Sequence, residues 1–444
     1  MPKFDPNDLQ RWTDGVWSKV PRVPVEGFCF DTRKLTKNAC FLALESDTND
    51  GHMYVKAAWD CGASAAMVEH FIEDCDLPQL KVQNTLSAFQ SIARAYRQML
   101  PTKVIALTGS AGKTSAKELL ALLFGEGTSK SHENLNNTLG VPFSLTQIDG
   151  SVHKTAILEA GISEKGEMDT LASMLLPDVS ILINVEPVHL EHFETLEGIA
   201  LEKAKLLNAA QERVYCPKGF SHLSKTIPTY VFSEDASEIF KNTILYHAVP
   251  TKNGWRCTVQ SQMFDVPFPL GHRMAQTFAM MIGVALNEGI SASDIQTRLL
   301  HWKPLPNRGS WQYIGDRRYF VDCYNANPSS FENSLEGFYR EVPKGIPIAY
   351  FIGSMAELGE RSAVFHRALG KNFHIQKEDV FVCIGAFAEY IKEGLLQHGA
   401  RISQVYTFSS TEEARLLVEK LPHTHIYLKG SRKYQLKNLI IRQV

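Results

Sequence analysis

The stretch VIALTGSAGKTSAKELLA at residues 104–121 limits what this chain can fold into more than any other. Its opening apolar run lacks polar alternation, which reads as a strand covered on both faces. The run breaks into Gly109 and Gly112, then Lys113 and Thr114, and continues as a helix. A strand, a glycine turn and a helix N-terminus aim successive backbone N–H groups and the positive end of the helix dipole at one point, making an anion site. Lys113 supplies neutralising charge, and the Thr114 hydroxyl suits a magnesium ion. The spacing departs from the general phosphate loop, which needs glycine at position 107, where this chain has Leu107.

Around this stretch, strand-like and helical segments alternate: AILEA at 156–160 and VSILINV at 179–185 join VIALT at 104–108. Buried strands separated by helices predict a parallel sheet with helices on both faces, and such sheets bind ligands at the carboxyl ends of their strands. Polar residues cluster at those ends: Gly109–Thr114, Glu159 and His189. After about residue 310 a second alternating region follows, with YFVDC at 319–323, IAYFI at 348–352, VFVCI at 380–384 and HIYL at 425–428. PLPNRGSW at 304–311 is rich in turn formers and makes a hinge between the two. The first hundred residues mix short apolar runs with the amphipathic SAFQSIARAYRQML at 87–100, which stops at Pro101. The predicted fold is therefore α/β in three domains: a small mixed α/β domain over 1–101, a central phosphate-loop parallel-sheet domain over 102–307 and a Rossmann-like domain over 308–444.

A net charge of -2 with 21% charged residues gives no electrostatic ground for a nucleic-acid partner or an anionic membrane. No apolar run approaches 18 residues and no signal-peptide core opens the chain, so a cytoplasmic protein, not embedded in a membrane, is expected. The eight cysteines never form Cys-x-x-Cys and read as buried thiols, not as a disulfide framework or zinc site.

Glu159 ends an apolar strand, where a lone buried carboxylate is unfavourable; a hard-oxygen ligand for magnesium explains it, and a solvated strand end is the bland alternative. His189 and His192 lack a third soft ligand for zinc, and a loop histidine is commonly structural. Lys203 and Lys205, in EGIALEKAKLL, read on pattern alone as solvated helical charges. DCYNANPSSFENSL at 322–335 brings Asp322, Tyr324, Asn325 and Asn327 to a strand end, suiting polar-ligand contacts, although Asn-Pro pairs are common caps. KGSRK at 429–433 places Lys429 and Arg432 where an anionic substrate can dock.

In this order the segments resemble the Mur ligases, ATP-dependent enzymes that extend the cytoplasmic peptidoglycan precursor. TGSAGKT at 108–114 matches the family's short ATP loop, with two residues between its glycines. NLNNTLGVP at 134–142, LEAGISEKGEM at 158–168, NVEPVHLEHF at 184–193, YNANP at 324–328, GSMAELGERSAVFH at 353–366 and KGSR at 429–432 extend the resemblance over nearly the whole chain. YNANP points to the branch that adds D-alanyl-D-alanine to UDP-N-acetylmuramoyl-tripeptide.

The resemblance implies ATP held by Gly109, Ser110, Ala111, Gly112, Lys113, Thr114 and Ser115, with Arg308, Asp322 and Asn325. It implies two magnesium ions on Thr114, Glu159, His189 and Lys203, with Lys203 carried as a carbamate and Lys205 the fallback if the register slips. Asn136 and Asn137 fall near the catalytic cleft with Lys113. Asp31, Thr32 and Arg33, with Asp50, Gly51 and His52, match segments that bind the UDP-sugar; Tyr324, Asn327, Lys429 and Arg432 fall among the substrate contacts. A monomer is expected. Departures lie at His272-Arg273-Met274-Ala275-Gln276, where the family has His-Asn-x-x-Asn, at Ser354, at Glu45-Ser46 and at Glu133. A ligase joining a different amino acid or dipeptide, and a nucleotide-binding homologue without catalysis, are the competing readings.

Overall fold

In the N-terminal sheet, neighbouring residues of one strand serve opposite faces, as the two-residue period of a strand requires. Phe41 lies in the cluster with Val55, Ala58, Ala66 and Val68, whereas Leu42 joins Phe4, Leu9, Phe28, Met67 and Phe89. The computed structural model describes residues 2–188, 190–224, 227–237 and 242–440. It divides into two units: Met1–Gly109 with Phe124–Leu182 and Leu201–Tyr230, and Ser110–Leu123 with Ile183–Ala200 and Val231–Val444. Both are α/β, and no helix among the described residues is long and apolar enough to cross a membrane.

Among the described residues the first unit holds two larger sheets and the short hairpin Glu45–Ser46 with Asn49–Asp50. The N-terminal one orders its strands Val16–Trp17, Gln79–Lys81, Ala65–Val68, Cys40–Leu42 and Phe28–Cys29, the first antiparallel to its neighbour and the others parallel. Next to it in sequence runs the parallel array Thr128–Lys130, Thr155–Glu159, Lys103–Thr108, Val179–Leu182 and Arg213–Pro217. The three strands expected from apolar runs are thus adjacent, with the phosphate-loop strand in the middle. VSILINV leaves the ladder after Leu182, and Asn184 is released for another use described below.

The helix Thr85–Met99 opens on Asn84, whose side chain accepts from the Ser87 N–H, and stops before Pro101. Phe89 and Ile92 face the N-terminal sheet, while buried Arg97 points the other way. Its guanidinium donates from Nε to the Leu175 carbonyl (2.9 Å) and from Nη2 to the Leu176 carbonyl (2.9 Å) and to Asp178 Oδ2 (2.9 Å). The same Asp178 oxygen accepts the Val104 N–H at 2.6 Å, at the start of the phosphate-loop strand. One ion pair therefore fastens this helix to the turn that ends Glu167–Leu175.

In the second unit, the ribbon Thr243–Thr251, Gly254–Val259 and Gln262–Val266 is antiparallel and lies against the helix His272–Asn287. The C-terminal sheet follows in the order Ser310–Ile314, Arg317–Asp322, His425–Lys429, Ile348–Gly353, Val380–Ile384 and Val405–Phe408. Only the first strand is antiparallel to its neighbour. Tyr350 and Ile352 enter one core, Ala349 and Phe351 the other, so both faces are covered as in a doubly wound fold. His425–Lys429, last in sequence, lies between the first and second parallel strands, creating the switch in strand order at which such sheets bind ligands.

Replacing Arg97 by Ala takes the donor from two carbonyls and a partly buried carboxylate at once. The expected loss is about 1–3 kcal/mol, the range for leaving hydrogen-bonding groups without their partner. Urea unfolding should show a lower midpoint at an unchanged slope; an unchanged midpoint would remove Arg97 from this role.

Candidate active site

Gly112 has φ +76°, a left-handed conformation open to glycine and strained for other residues. It turns the chain into the helix Lys113–Phe124. Preceding it, the loop is gripped by Asn184. The Ser110 and Ala111 N–H groups both donate to Asn184 Oδ1 at 2.9 Å, and Asn184 Nδ2 donates to the Ala111 carbonyl at 3.1 Å. One side-chain amide thus imitates a strand partner. Ser110 and Ala111 both direct their N–H groups to Asn184. The Ser110 hydroxyl closes the grip, accepting from the Glu186 N–H (2.8 Å) and donating to the Glu186 carbonyl (3.1 Å).

Thr114 is buried, and its hydroxyl accepts from Arg308 Nη2 at 3.0 Å. The same guanidinium lies over the Tyr324 ring, 3.9 Å from its centroid, and Arg432 is 5.8 Å from that centroid. The hinge arginine therefore joins the loop helix to the YNANP segment. Lys429, expected to face an anionic substrate, is 1% exposed and donates to Asp322 Oδ2 at 2.8 Å. Asn325 Oδ1 accepts from the Ala326 N–H. Asn327 caps the helix Pro328–Glu341 by accepting from the Ser330 N–H at 2.7 Å, the cap that Asn-Pro suggested.

In the first unit, Glu159 ends its strand fully buried, and its Oε1 accepts from Asn136 Nδ2 at 2.6 Å. Gly161 leaves the space that Asn136 fills: a Cβ there would stand 2.9 Å from the Asn136 amide. Asn137 accepts from the Gly140 N–H at 2.8 Å and so fixes the start of the short helix Gly140–Leu145. Lys203 corrects the reading from pattern alone. It is 1% exposed, and its ammonium donates to the Gly109 carbonyl at 3.1 Å. Lys205 faces the other way, donating to Asp169 at 2.6 Å and pairing with Glu202 at 2.7 Å. Burial works to lower the Lys205 pKa, but hydrogen bonds and charge from Asp169 and Glu202 raise it overall. Glu202 also accepts from the Gly166 and Met168 N–H groups, pinning the helix Glu167–Leu175.

The N-terminal segments are ordered by their own side chains. Asp31 accepts from the Arg33 N–H and pairs with its guanidinium at 2.8 Å; the Arg33 hydrogen bond holds the Asp31 pKa down to about 2. Thr32 begins the turn between them. Asp50 accepts from the His52 N–H and meets His52 Nδ1 at 2.7 Å, while His52 Nε2 accepts from the Glu69 N–H at 2.9 Å. His52 is thus a buried internal link. Gly51 is required by its neighbours, since a Cβ would lie 2.6 Å from the Leu44 backbone. His189 lies outside the described residues, and among the described residues no three His, Cys, Asp or Glu side chains converge as a metal centre.

Two family models match the chain, the Mur ligase middle domain over residues 107–235 and the Mur ligase glutamate ligase domain over residues 311–432. The UDP-N-acetylmuramoyl-tripeptide–D-alanyl-D-alanine ligase of Escherichia coli K12 is 28% identical over 435 residues, covering 94% of this chain and 93% of its own. MurF of Acinetobacter baumannii shares the fold with a TM-score of 0.85 at 26% identity, over 99% of this chain and 98% of that one. MurF of Thermotoga maritima, solved in complex with ADP, shares it at 0.74 and 23% identity, over 94% and 96%. A short phosphate loop, a second open sheet and these matches define an ATP-dependent, ADP-forming ligase that joins a carboxylate to an amine. The chain belongs to the Mur ligase family.

Asn184→Ala would leave the Ser110 and Ala111 amides without their shared acceptor. Losing a well-placed buried bond costs about 1–3 kcal/mol, so ATP affinity should fall roughly tenfold or more. Calorimetric titration with ATP checks this, and an affinity within twofold of the parent would refute the clamp.

Proposed function

We propose that this chain adds D-alanyl-D-alanine to UDP-N-acetylmuramoyl-tripeptide in the cytoplasm, as a monomer with domains dividing near residues 101 and 307. The observation that carries the reading is the extent of the likeness to the Escherichia coli enzyme so named, 94% of this chain. It takes in both the phosphate loop and the YNANP segment, which Arg308 links here by touching Thr114 and Tyr324.

A carboxylate is a poor acyl donor. Transfer of the γ-phosphoryl group of ATP to the tripeptide carboxylate makes an acyl phosphate; the dipeptide amine then attacks the acyl carbon, and the tetrahedral adduct expels phosphate to leave an amide. The protein's share is orientation and charge stabilisation. Lys113 and the first-turn amides of its helix stabilise charge on the ATP phosphates, with Gly109 through Ser115 forming the loop around them and Asp322 and Asn325 contributing nucleotide contacts. Tyr324, Asn327 and Arg432 are assigned to the incoming dipeptide, with Lys429 acting through its pair with Asp322. Asp31, Thr32, Arg33, Asp50, Gly51 and His52 shape the UDP-sugar end, with His52 acting through its bonds to Asp50 and Glu69.

A fully buried carboxylate oriented by an Asn136 donor suits a hard cation, which favours oxygen ligands. Glu159, Thr114, His189 and a carbamate on Lys203 would hold two magnesium ions, which when bound neutralise phosphate charge and act as Lewis acids. Lys203, buried beside the Gly109 carbonyl, is assigned the carbamate, and Lys205, paired with Asp169 and Glu202, is the fallback.

Phosphate release measured with UDP-muramoyl-tripeptide and a panel of amines tests the reading. D-alanyl-D-alanine should support turnover; turnover with a single amino acid and none with the dipeptide would overturn it. Lys203→Ala should abolish turnover and regain part of it with a short carboxylic acid. Full activity in that variant would eliminate the carbamate, whereas Lys205→Ala should retain most of the parent rate.

A further inference from the structure

Glu186 is 8% exposed, and its position joins three separate stretches of the second unit. Its backbone exchanges two hydrogen bonds with the Ser110 hydroxyl in the phosphate loop. Its Oε1 pairs with Arg273 Nη1 at 3.0 Å, in the first turn of the helix His272–Asn287. Its Oε2 accepts from the hydroxyl of Ser329, whose oxygen lies 3.2 Å from Asn327 Oδ1, at the start of the helix Pro328–Glu341. A continuous set of polar contacts thus runs from Ser110 through Glu186 and Ser329 to Asn327 and the YNANP segment.

The two helices meet by more than this carboxylate. The His272 N–H donates to Glu336 Oε2 at 2.7 Å and the Met274 N–H to Asn333 Oδ1 at 3.0 Å. Gly271, the N-cap residue, has no side chain with which to cap; a Cβ there would collide with the Asn333 carbonyl. The helix His272–Asn287 is therefore capped by the neighbouring helix Pro328–Glu341. Close backbone approach and trans capping make the contact specific in register, and Glu186 is where it reaches the phosphate loop.

We propose that Glu186 is a positioning residue that couples the seat of the phosphate loop to the helix Pro328–Glu341, so that nucleotide on the loop is felt in the segment that presents the amine. The inference rests on the ligase reading for the amine but on geometry alone for the coupling. Glu186 acts through Ser110 on one side and Ser329 on the other. Misplacing reacting groups by about 1 Å can lower a rate about a hundredfold, so a loosened link should appear in kcat before it appears in ATP binding.

The test compares the full-length parent with Glu186→Gln, Ser329→Ala and the double variant. Glu186→Gln keeps the shape of the side chain and removes the charge that pairs with Arg273. Each single variant should lose roughly tenfold in kcat of amine-dependent phosphate release, with KM for ATP within threefold and melting temperature within about 2 °C. The double variant should be no slower than the slower single, as expected of residues acting through one link. Single effects that multiply, a kcat within twofold of the parent, or a loss that follows the melting temperature would each overturn the proposal.

A second measurement does not require turnover. Amide hydrogen exchange with added magnesium-ATP should slow in residues 109–124 and in 324–341 of the parent. In Glu186→Gln the protection should remain in the first segment and vanish from the second. Equal protection of both segments in both proteins would overturn the coupling even if the ligase reading holds. Conversely, a parent inactive with every amine would sink the ligase reading and leave the exchange result to decide the coupling. If Glu186→Gln does not fold, Ser329→Ala decides by the same two measurements.

Discussion

Taking an ammonium or a carboxylate out of water costs several kcal/mol per ion even after relaxation, and the cost is met only by close polar partners. Glu159 and Lys429 end strands, Glu186 follows one closely, and Lys203 reaches from the helix Leu196–Asn208 to the Gly109 carbonyl at a strand end; each is less than a tenth exposed. Sheets covered on both faces offer little room for charge along the strands themselves. Tyr350 and Phe351 show the alternative along the strand itself, where consecutive residues go to two separate apolar cores. Charge therefore collects at strand ends, where loops supply carbonyls, amides and counter-ions: Gly109 for Lys203, Asn136 for Glu159, Asp322 for Lys429, and Arg273 with Ser329 for Glu186.

Much of this was legible in local pattern. Unbroken apolar runs announced the adjacent parallel strands 103–108, 155–159 and 179–182, and the glycine pair announced the turn into the loop helix. Asn327 before Pro328 announced a helix cap, which the structure has. The lysines were legible in part. Residues two apart on a helix lie about 200° around its axis, so Lys203 and Lys205 could not share a face. Which of them turned inward depended on a partner 94 residues away, the Gly109 carbonyl.

What stayed hidden was of that non-local kind. Asn184 grips the loop across 73 and 74 residues of sequence, and Arg273 meets Glu186 across 87. Neither residue stands in a spacing that marks it. At Asn184 a polar residue interrupts the apolar run VSILINV and opens NVEPVHLEHF, but neither signal says what the side chain will touch. At His52 both ring nitrogens are engaged within the domain, so the segment expected at the UDP-sugar is shaped by His52 through its bonds to Asp50 and Glu69.

Arg308 shows why the hinge needs one particular cation. Its guanidinium donates to the Thr114 hydroxyl and at the same time lies over the Tyr324 ring, 3.9 Å from its centroid. A planar, delocalised cation can do both, because the in-plane N–H groups remain available while the face stacks. A lysine ammonium, compact and strongly hydrated, could take the hydroxyl or approach the ring but lacks a face to lay against it. The helix that begins at Lys113 and the segment that begins at Tyr324 are thereby set against one side chain, which ties the position of Tyr324 to that of Thr114.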